Sequence, residues 1–541
     1  MIKQFFIAFI AVASATAFGA SPSHDAETNA LQKLLKQAGF TGKIEATLER
    51  KLGRPIDKNK AEVGRLIFFD KGLGLHKSNS CAGCHSPTAG FGDTQSIAIG
   101  IQSKNDLVGP DRSGPRNQRR TPTIANVAFY PVLMWNGRFS AVSGDPFDNR
   151  KGFLFPDPEA TTSFPIGDNR FKHLLVAQAH VPFTEMPEMA GFTGAAATGL
   201  PLCQFVLPRS APSPLRSADR MAPNAITTQR QRLFSAPADA PDFCQFDDGQ
   251  GTALPRKFPD TDYLNSPIRH TVLREINLIE GYRNHFALLY PTVKSGNGIE
   301  FWMIGEVLAE FQISQTYANA PIDKFARGDV TALTPAVKRG AILFFGRAQC
   351  VTCHAVKGQS NEMFSDFKMH GAGVPQLAPI FGKDTGNVPF RNSNGAQTAT
   401  GNHDLGLWEF TGNDVDRYKF RTSPLRNVAL QPAYFHNGAF TRLIDAVRYH
   451  TNTVRLSNSY DPKVAGVSAD LARNIGPIEP VISQLSPRLA KPLAITEAEL
   501  SDLVSFLADG LLDSRAKPEN LMKLIPASVP SGVKLQQFQK P

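Results

Sequence analysis

Apolar residues recur at helical spacing in four stretches, 30–37, 301–315, 441–450 and 497–507, which predicts amphipathic helices there. Period-two alternation, the mark of a half-buried strand, is scarce, so the fold is expected to be mainly α. Two further helix-like stretches end in paired phenylalanines, Gly64-Arg65-Leu66-Ile67-Phe68-Phe69 and Gly340-Ala341-Ile342-Leu343-Phe344-Phe345. Their likeness across about 270 residues predicts an internal repeat, two related helical units in one chain. A chain of 541 residues is too long for one ordinary core. The expected division is an N-terminal domain over 18–325, with loop-rich insertions near 143–170 and 190–264, and a C-terminal domain over 326–541.

Residues 1–17 follow another pattern. Lys3 precedes an apolar run over 5–12 and then small residues ending in Ala15-Thr16-Ala17, which predicts an export signal cleaved near position 17. The run is shorter than the roughly 20 residues that span a bilayer, and no later stretch is apolar enough to do so. The mature chain is expected in the periplasm without a membrane span.

The formal charge of +10 raises the question of nucleic acid. Lys and Arg are scattered, with no run of five or more, which argues against that partner and suits a basic surface meeting an acidic redox protein. The six cysteines change the picture more. Cys203 and Cys244 lie in a stretch rich in Pro, Ala and Ser, and in an oxidising compartment are expected to form a disulfide.

The other four form Cys81-Ala82-Gly83-Cys84-His85 and Cys350-Val351-Thr352-Cys353-His354, two copies of C-x-x-C-H, the attachment signature of c-type haem. The spacing lets two thiols reach the two vinyl groups of one porphyrin while the next residue turns its imidazole onto the iron. No further C-x-x-C exists to complete a zinc tetrad. Two covalently bound haem c groups are therefore expected, with His85 and His354 each giving one axial ligand. The sixth positions decide whether an iron is open to substrate.

Around these motifs the chain resembles the bacterial di-haem cytochrome c peroxidase and MauG family. The likeness is carried by residues 64–93, Arg119-Arg120-Thr121-Pro122-Thr123, Trp135-Asn136-Gly137-Arg138, and residues 178–189, 301–354 and 420–450. The resemblance implies that the first haem is the peroxide site, with distal residues Gln178, Pro182 and Glu188 followed by Met189, and that Glu188 moves a proton during O–O cleavage. Glu185 is the nearest alternative carboxylate. It also implies that Trp135 lies between the haems and relays electrons. For the second haem the family pattern leads through Pro424-Leu425-Arg426-Asn427 and His436-Asn437-Gly438 to a helix on which Leu443, Val447 and His450 share a face. His450 then stands at the sixth-ligand position, with Tyr449, Met363 and Met369 as rivals.

Two departures matter. The stretch 86–102 holds no histidine, and Ile101 stands where many family members carry a ligand that closes the first iron, so that iron is expected to be open as isolated, unless His180 intrudes. Arg120 replaces the Asn that helps hold calcium between domains, with Gln431 and Ala433 at the carbonyl positions, so tightly bound calcium is not expected. The implied activity is reduction of hydrogen peroxide with electrons from a small donor such as a cytochrome c or cupredoxin. A MauG-like oxidase acting on a partner protein or organic molecule and a plain electron carrier are the alternatives.

Overall fold

The computed structural model describes residues 22–74, 77–155 except 102, 104, 115 and 118, 164–190, 265–377, and 404–539 except 474. The expected leader, nearly all of the second insertion, and with it Cys203 and Cys244, lie outside these residues.

Helices carry the architecture, the longer ones including Pro22–Ala38, Lys58–Phe69, Phe301–Ser314, Pro335–Phe345, Leu443–Thr451 and Glu497–Ser505. Their starts are chemically marked. Asp57 accepts from the amides of Asn59 and Lys60, Thr334 caps a helix that opens on Pro335, and Thr496 with Glu499 forms a capping box. The last helix outruns its expected form: residues 506–507 belong to a π-helical turn, Phe506–Gly510. Strands are short. Val132–Leu133, Phe139–Ala141 and Phe153–Leu154 make one antiparallel sheet, and two-stranded pairs complete the set among the described residues.

Two aromatic cores correspond to the repeated sequence. Phe68 packs on Phe311 at 5.0 Å in one, and Phe344 packs on Phe506 at 5.2 Å in the other. The repeated glycine explains why. A Cβ on Gly64 would lie 1.9 Å from the Val307 carbonyl oxygen, and one on Gly340 would lie 1.9 Å from that of Asp502. Each glycine therefore lets the helix before a C-x-x-C-H motif press against a crossing helix, and the phenylalanine four residues later reaches that motif's histidine, at 6.3 Å for Phe68–His85 and 6.4 Å for Phe344–His354.

The packing does not follow chain order at the ends. Leu31 and Leu35 of the first helix join the second core, while Leu521, Leu535 and Phe538 pack with the first. The described part of the stretch 143–170 is more than a loop. Phe153, Phe155 and Phe164, with Phe171 just beyond it, are buried in the first core, and Phe153–Leu154 closes the three-stranded sheet.

Candidate functional site

Cys81–Cys84 is a single helical turn set against Lys58–Phe69, and it ends at His85. Beside it opens a cleft, continuous with solvent and with about 180 Å³ of room for water, lined by Cys81, Cys84 and His85 together with Gln178, Pro182 and Glu188. Neither cysteine pairs in a disulfide, and burial raises each thiol to about 12. Burial pushes His85 down to about 4, so its imidazole is neutral and able to bind a metal at neutral pH. Its Nδ1 is buried without a regular hydrogen bond, although the Phe91 and Pro122 carbonyls favour its charged form.

The helix Leu174–Gln178 and the turns after it deliver the distal groups. Met186–Ala190 is a π-helical turn in which the Glu185 carbonyl accepts from the amides of residues 188, 189 and 190. Such turns cluster at functional sites. Glu188 is half-buried, and its negative charge helps raise both cysteines, so the carboxylate is electrostatically close to the attachment turn. Glu185 also lines the cleft, but it is buried and ion-paired with Arg138 at 3.5 Å. His180 does not intrude. Its Nδ1 lies 2.8 Å from the Val176 carbonyl, and its ring packs among Phe164, Phe171 and Phe301. Ile101 is buried and is not among the residues lining the cleft.

Trp135 forms another part of the cleft wall. Its Nε1 donates to the Arg120 carbonyl at 2.7 Å, and its own carbonyl accepts from the Arg421 amide at 2.7 Å. The second bond has a mirror: the Arg120 amide donates to the His436 carbonyl, also at 2.7 Å. Sequence reading missed the repeat behind this exchange, although the signal was present. Arg120-Thr121-Pro122-Thr123-Ile124-Ala125-Asn126-Val127-Ala128 and Arg421-Thr422-Ser423-Pro424-Leu425-Arg426-Asn427-Val428-Ala429 are in register, as are Trp135-Asn136-Gly137 and His436-Asn437-Gly438. Asn126 and Asn427 even donate to the same carbonyl, that of Tyr317, at 3.1 Å each.

The Arg120 guanidinium is buried and donates to the carbonyls of Gln95 and Asp93 and to the side chain of Gln431. It thus fills with its own charge a cluster of oxygens suited to a cation. Arg421 differs. Its guanidinium lies over Tyr130 and Phe367, burial lowers it to about 10, and its Nη1 is buried with no hydrogen bond among the described residues. A cation left so, beside two thiols and an imidazole, fits a ligand bearing carboxylates, as haem does.

At the second motif, the His354 Nδ1 lies 3.0 Å from the Phe364 carbonyl and the His450 Nδ1 lies 2.8 Å from the Ala446 carbonyl. With Nδ1 protonated in each, Nε2 carries the lone pair. Burial first and His450 second push His354 down to about 4, so the two imidazoles lie within electrostatic reach of each other. The rivals are engaged elsewhere: the Tyr449 hydroxyl donates to the Gly373 carbonyl at 2.5 Å, Met363 is buried in the first core, and Met369 packs against Gly137. Cys353, Asp366 and His370 have ligand atoms within 4.8 Å of one another, but a thioether at Cys353 would remove that thiolate.

The sequence profile of the family described as di-haem cytochrome c peroxidase matches residues 58–201. A cytochrome-c peroxidase, IdrP2, of Pseudomonas sp. (strain SCT) is 23% identical, covering 72% of each chain. The methylamine utilization protein MauG of Methylorubrum extorquens is also 23% identical, covering 82% of each. A crystal structure of a MauG-like protein associated with microbial copper homeostasis is similar over 87% of this chain and 92% of its own, at 19% identity and a TM-score of 0.47. A family model over residues 58–201 and relatives named both cytochrome-c peroxidase and MauG make the chain similar to the di-haem cytochrome c peroxidase and MauG family, and mark it as an oxidoreductase of the di-haem cytochrome c peroxidase type.

Proposed function

We propose that the protein is a periplasmic peroxidase with two covalently attached haem c groups, one on Cys81, Cys84 and His85 and one on Cys350, Cys353 and His354, which reduces hydrogen peroxide at the first. The observation that carries this reading is the convergence of Gln178, Pro182 and Glu188 on the cleft that also contains Cys81, Cys84 and His85. The haem in that cleft would supply the iron and the redox chemistry. The chain's part is positional. Gln178 and Pro182 shape the distal wall, and Glu188 takes a proton from one peroxide oxygen and returns it to the other as the O–O bond breaks. Two electrons and two further protons complete two waters. His354 and His450 would hold the second haem, and Trp135, whose indole donates to the Arg120 carbonyl and whose backbone carbonyl accepts from the Arg421 amide of the C-terminal half, relays the electrons. A small cytochrome c or cupredoxin is the donor.

Positioned acid/base groups contribute about 10²- to 10⁴-fold, so Glu188→Gln should lower peroxide turnover by about that factor with both haem spectra intact. Glu185→Gln, which loses the charge pairing with Arg138, should lose much less. Steady-state peroxide reduction with an artificial donor, normalised to haem content, makes the comparison; equal losses would remove the assignment. A second reading, an oxidase acting on a partner protein or organic molecule, is favoured by the openness of the cleft to solvent. It requires that peroxide be consumed only when such a partner is present.

A further inference from the structure

Asn79, two residues before Cys81, has a side chain that is almost wholly buried. Its Nδ2 donates to the backbone carbonyl of Glu188 at 2.9 Å and lies 3.7 Å from the Cys84 sulfur. Its Oδ1 accepts from the Arg112 guanidinium at 2.8 Å. The remaining partner comes from more than 450 residues away: Gln536 donates to Asn79 Oδ1 at 3.2 Å and accepts from the Ser80 hydroxyl at 2.7 Å. With the Gln536 amide turned over, it donates to the Ser80 hydroxyl at 2.7 Å and its oxygen accepts from Arg112 Nη1 at 3.0 Å, so that it braces Asn79 through Arg112 rather than directly.

The segment bearing Gln536 is itself fixed to the first core. The strand Gln537–Phe538 runs parallel to Leu107–Val108, the Ser531 hydroxyl donates to Asp70 at 2.6 Å, and the Gln539 amide donates to Asp111 at 2.7 Å. Phe538 packs on Phe69 at 5.9 Å. Carbonyls at the end of a helical turn need a partner from outside it, and Asn79 supplies one to the turn that carries Glu188. The side chain of Glu188 is thus set by a turn whose Glu188 carbonyl is pinned to the haem-attachment segment.

We infer that Asn79, braced by Gln536 and Arg112, is a positioning residue for Glu188, so that a segment from the far end of the chain completes the distal side of the peroxide site. This rests on Glu188 being the proton carrier, as proposed above. Gln536 and Arg112 stop the Asn79 amide from turning away, and Asn79 keeps the Glu188 turn at a fixed distance from His85.

The test uses the full haem-loaded protein with Asn79→Ala, Gln536→Ala, Glu188→Gln and the double variant Asn79→Ala/Glu188→Gln. Two readouts are taken beside haem content. One is peroxide kcat and KM. The other is the pH profile of cyanide association, which needs the distal base to take a proton and needs no turnover. Because misplacement on the scale of an ångström can cost about 100-fold, Asn79→Ala should lower kcat and the cyanide rate by about 10- to 100-fold, with KM nearly unchanged and the pH profile displaced. Gln536→Ala should show the same change in smaller measure, and it carries the test should Asn79→Ala fail to load haem. The double variant should be no slower than Glu188→Gln alone. If Glu188→Gln is slow while Asn79→Ala and Gln536→Ala behave as wild type, or if the losses add in the double variant, the positioning role is wrong. If Glu188→Gln itself is fast, the proton-carrier assignment falls and the positioning role falls with it.

Discussion

Arg426 offers the sharpest test of how the second haem site is held. Its guanidinium meets Asp323 through two parallel bonds of 2.7 and 2.8 Å, and neither side chain has any exposed surface. Its Nε donates to the Glu362 carbonyl at 2.8 Å, and the plane lies over the rings of Phe40 and Phe364. Phe364 in turn offers its carbonyl to His354. Arg426→Met removes all three hydrogen bonds and leaves the buried Asp323 carboxylate with the Ala320 amide, at 2.8 Å. Stranding one partner of a buried pair costs about 3–5 kcal/mol. For a domain of this size that corresponds to a fall in Tm of roughly 6–20 °C. The double variant Asp323→Leu/Arg426→Met strands no charge and should regain most of the loss. Thermal and urea unfolding, followed by far-UV circular dichroism and by Soret absorption at equal haem content, measures both. A loss under about 1 kcal/mol in the single variant, or a double variant no more stable than the single, would refute the reasoning.

Three further outcomes are expected. Burial raises Glu409 to about 8, with Arg119 opposing and Asp404 adding; a carboxyl raised in the folded state contributes stability below its unfolded value of about 4.5 and loses it as pH rises through about 8. Glu409→Gln should therefore flatten the fall in Tm between about pH 4.5 and pH 8, whereas an equal slope in both proteins would contradict the assignment. Because Arg120 already neutralises the oxygens of Asp93, Gln95 and Gln431, prolonged dialysis against a calcium chelator should change neither haem spectra nor turnover; a loss restored by calcium would show a cation site elsewhere. His450→Ala should turn the low-spin haem high-spin or differently ligated and slow electron delivery, while His436→Ala should leave its spin state intact; electron paramagnetic resonance distinguishes the two.

What could be read in the sequence was what depends on neighbours along the chain. Helical periodicity, the capping residues and the two attachment motifs are local, and the helices 301–315 and 441–450 differ from their expected bounds by only a residue or two. The distal trio was legible only through resemblance, since nothing in the spacing of Gln178, Pro182 and Glu188 says that they meet one cleft. Long-range choices stayed hidden. No local pattern marks Gln536 as a partner of Asn79, or Leu31 as part of the second core, because those contacts are selected by packing between segments hundreds of residues apart. His180 shows the converse. A histidine in a distal stretch invites a ligand role, yet three phenylalanines and the Val176 carbonyl of the helix just before it claim it for the core.

The central claim is that the first iron is open in the fully oxidised protein. It rests on the absence of any histidine between His85 and His173, on His180 facing the core, and on Ile101 lying outside the cleft lining. Titration of the oxidised protein with cyanide, and then with hydrogen peroxide, followed by Soret absorption and electron paramagnetic resonance, tests it directly. One high-spin haem of the two should bind cyanide and react with peroxide with no prior reduction, while the second keeps its low-spin signature. Two six-coordinate low-spin haems, or a protein inert to both reagents until one electron per molecule has been added, would contradict it.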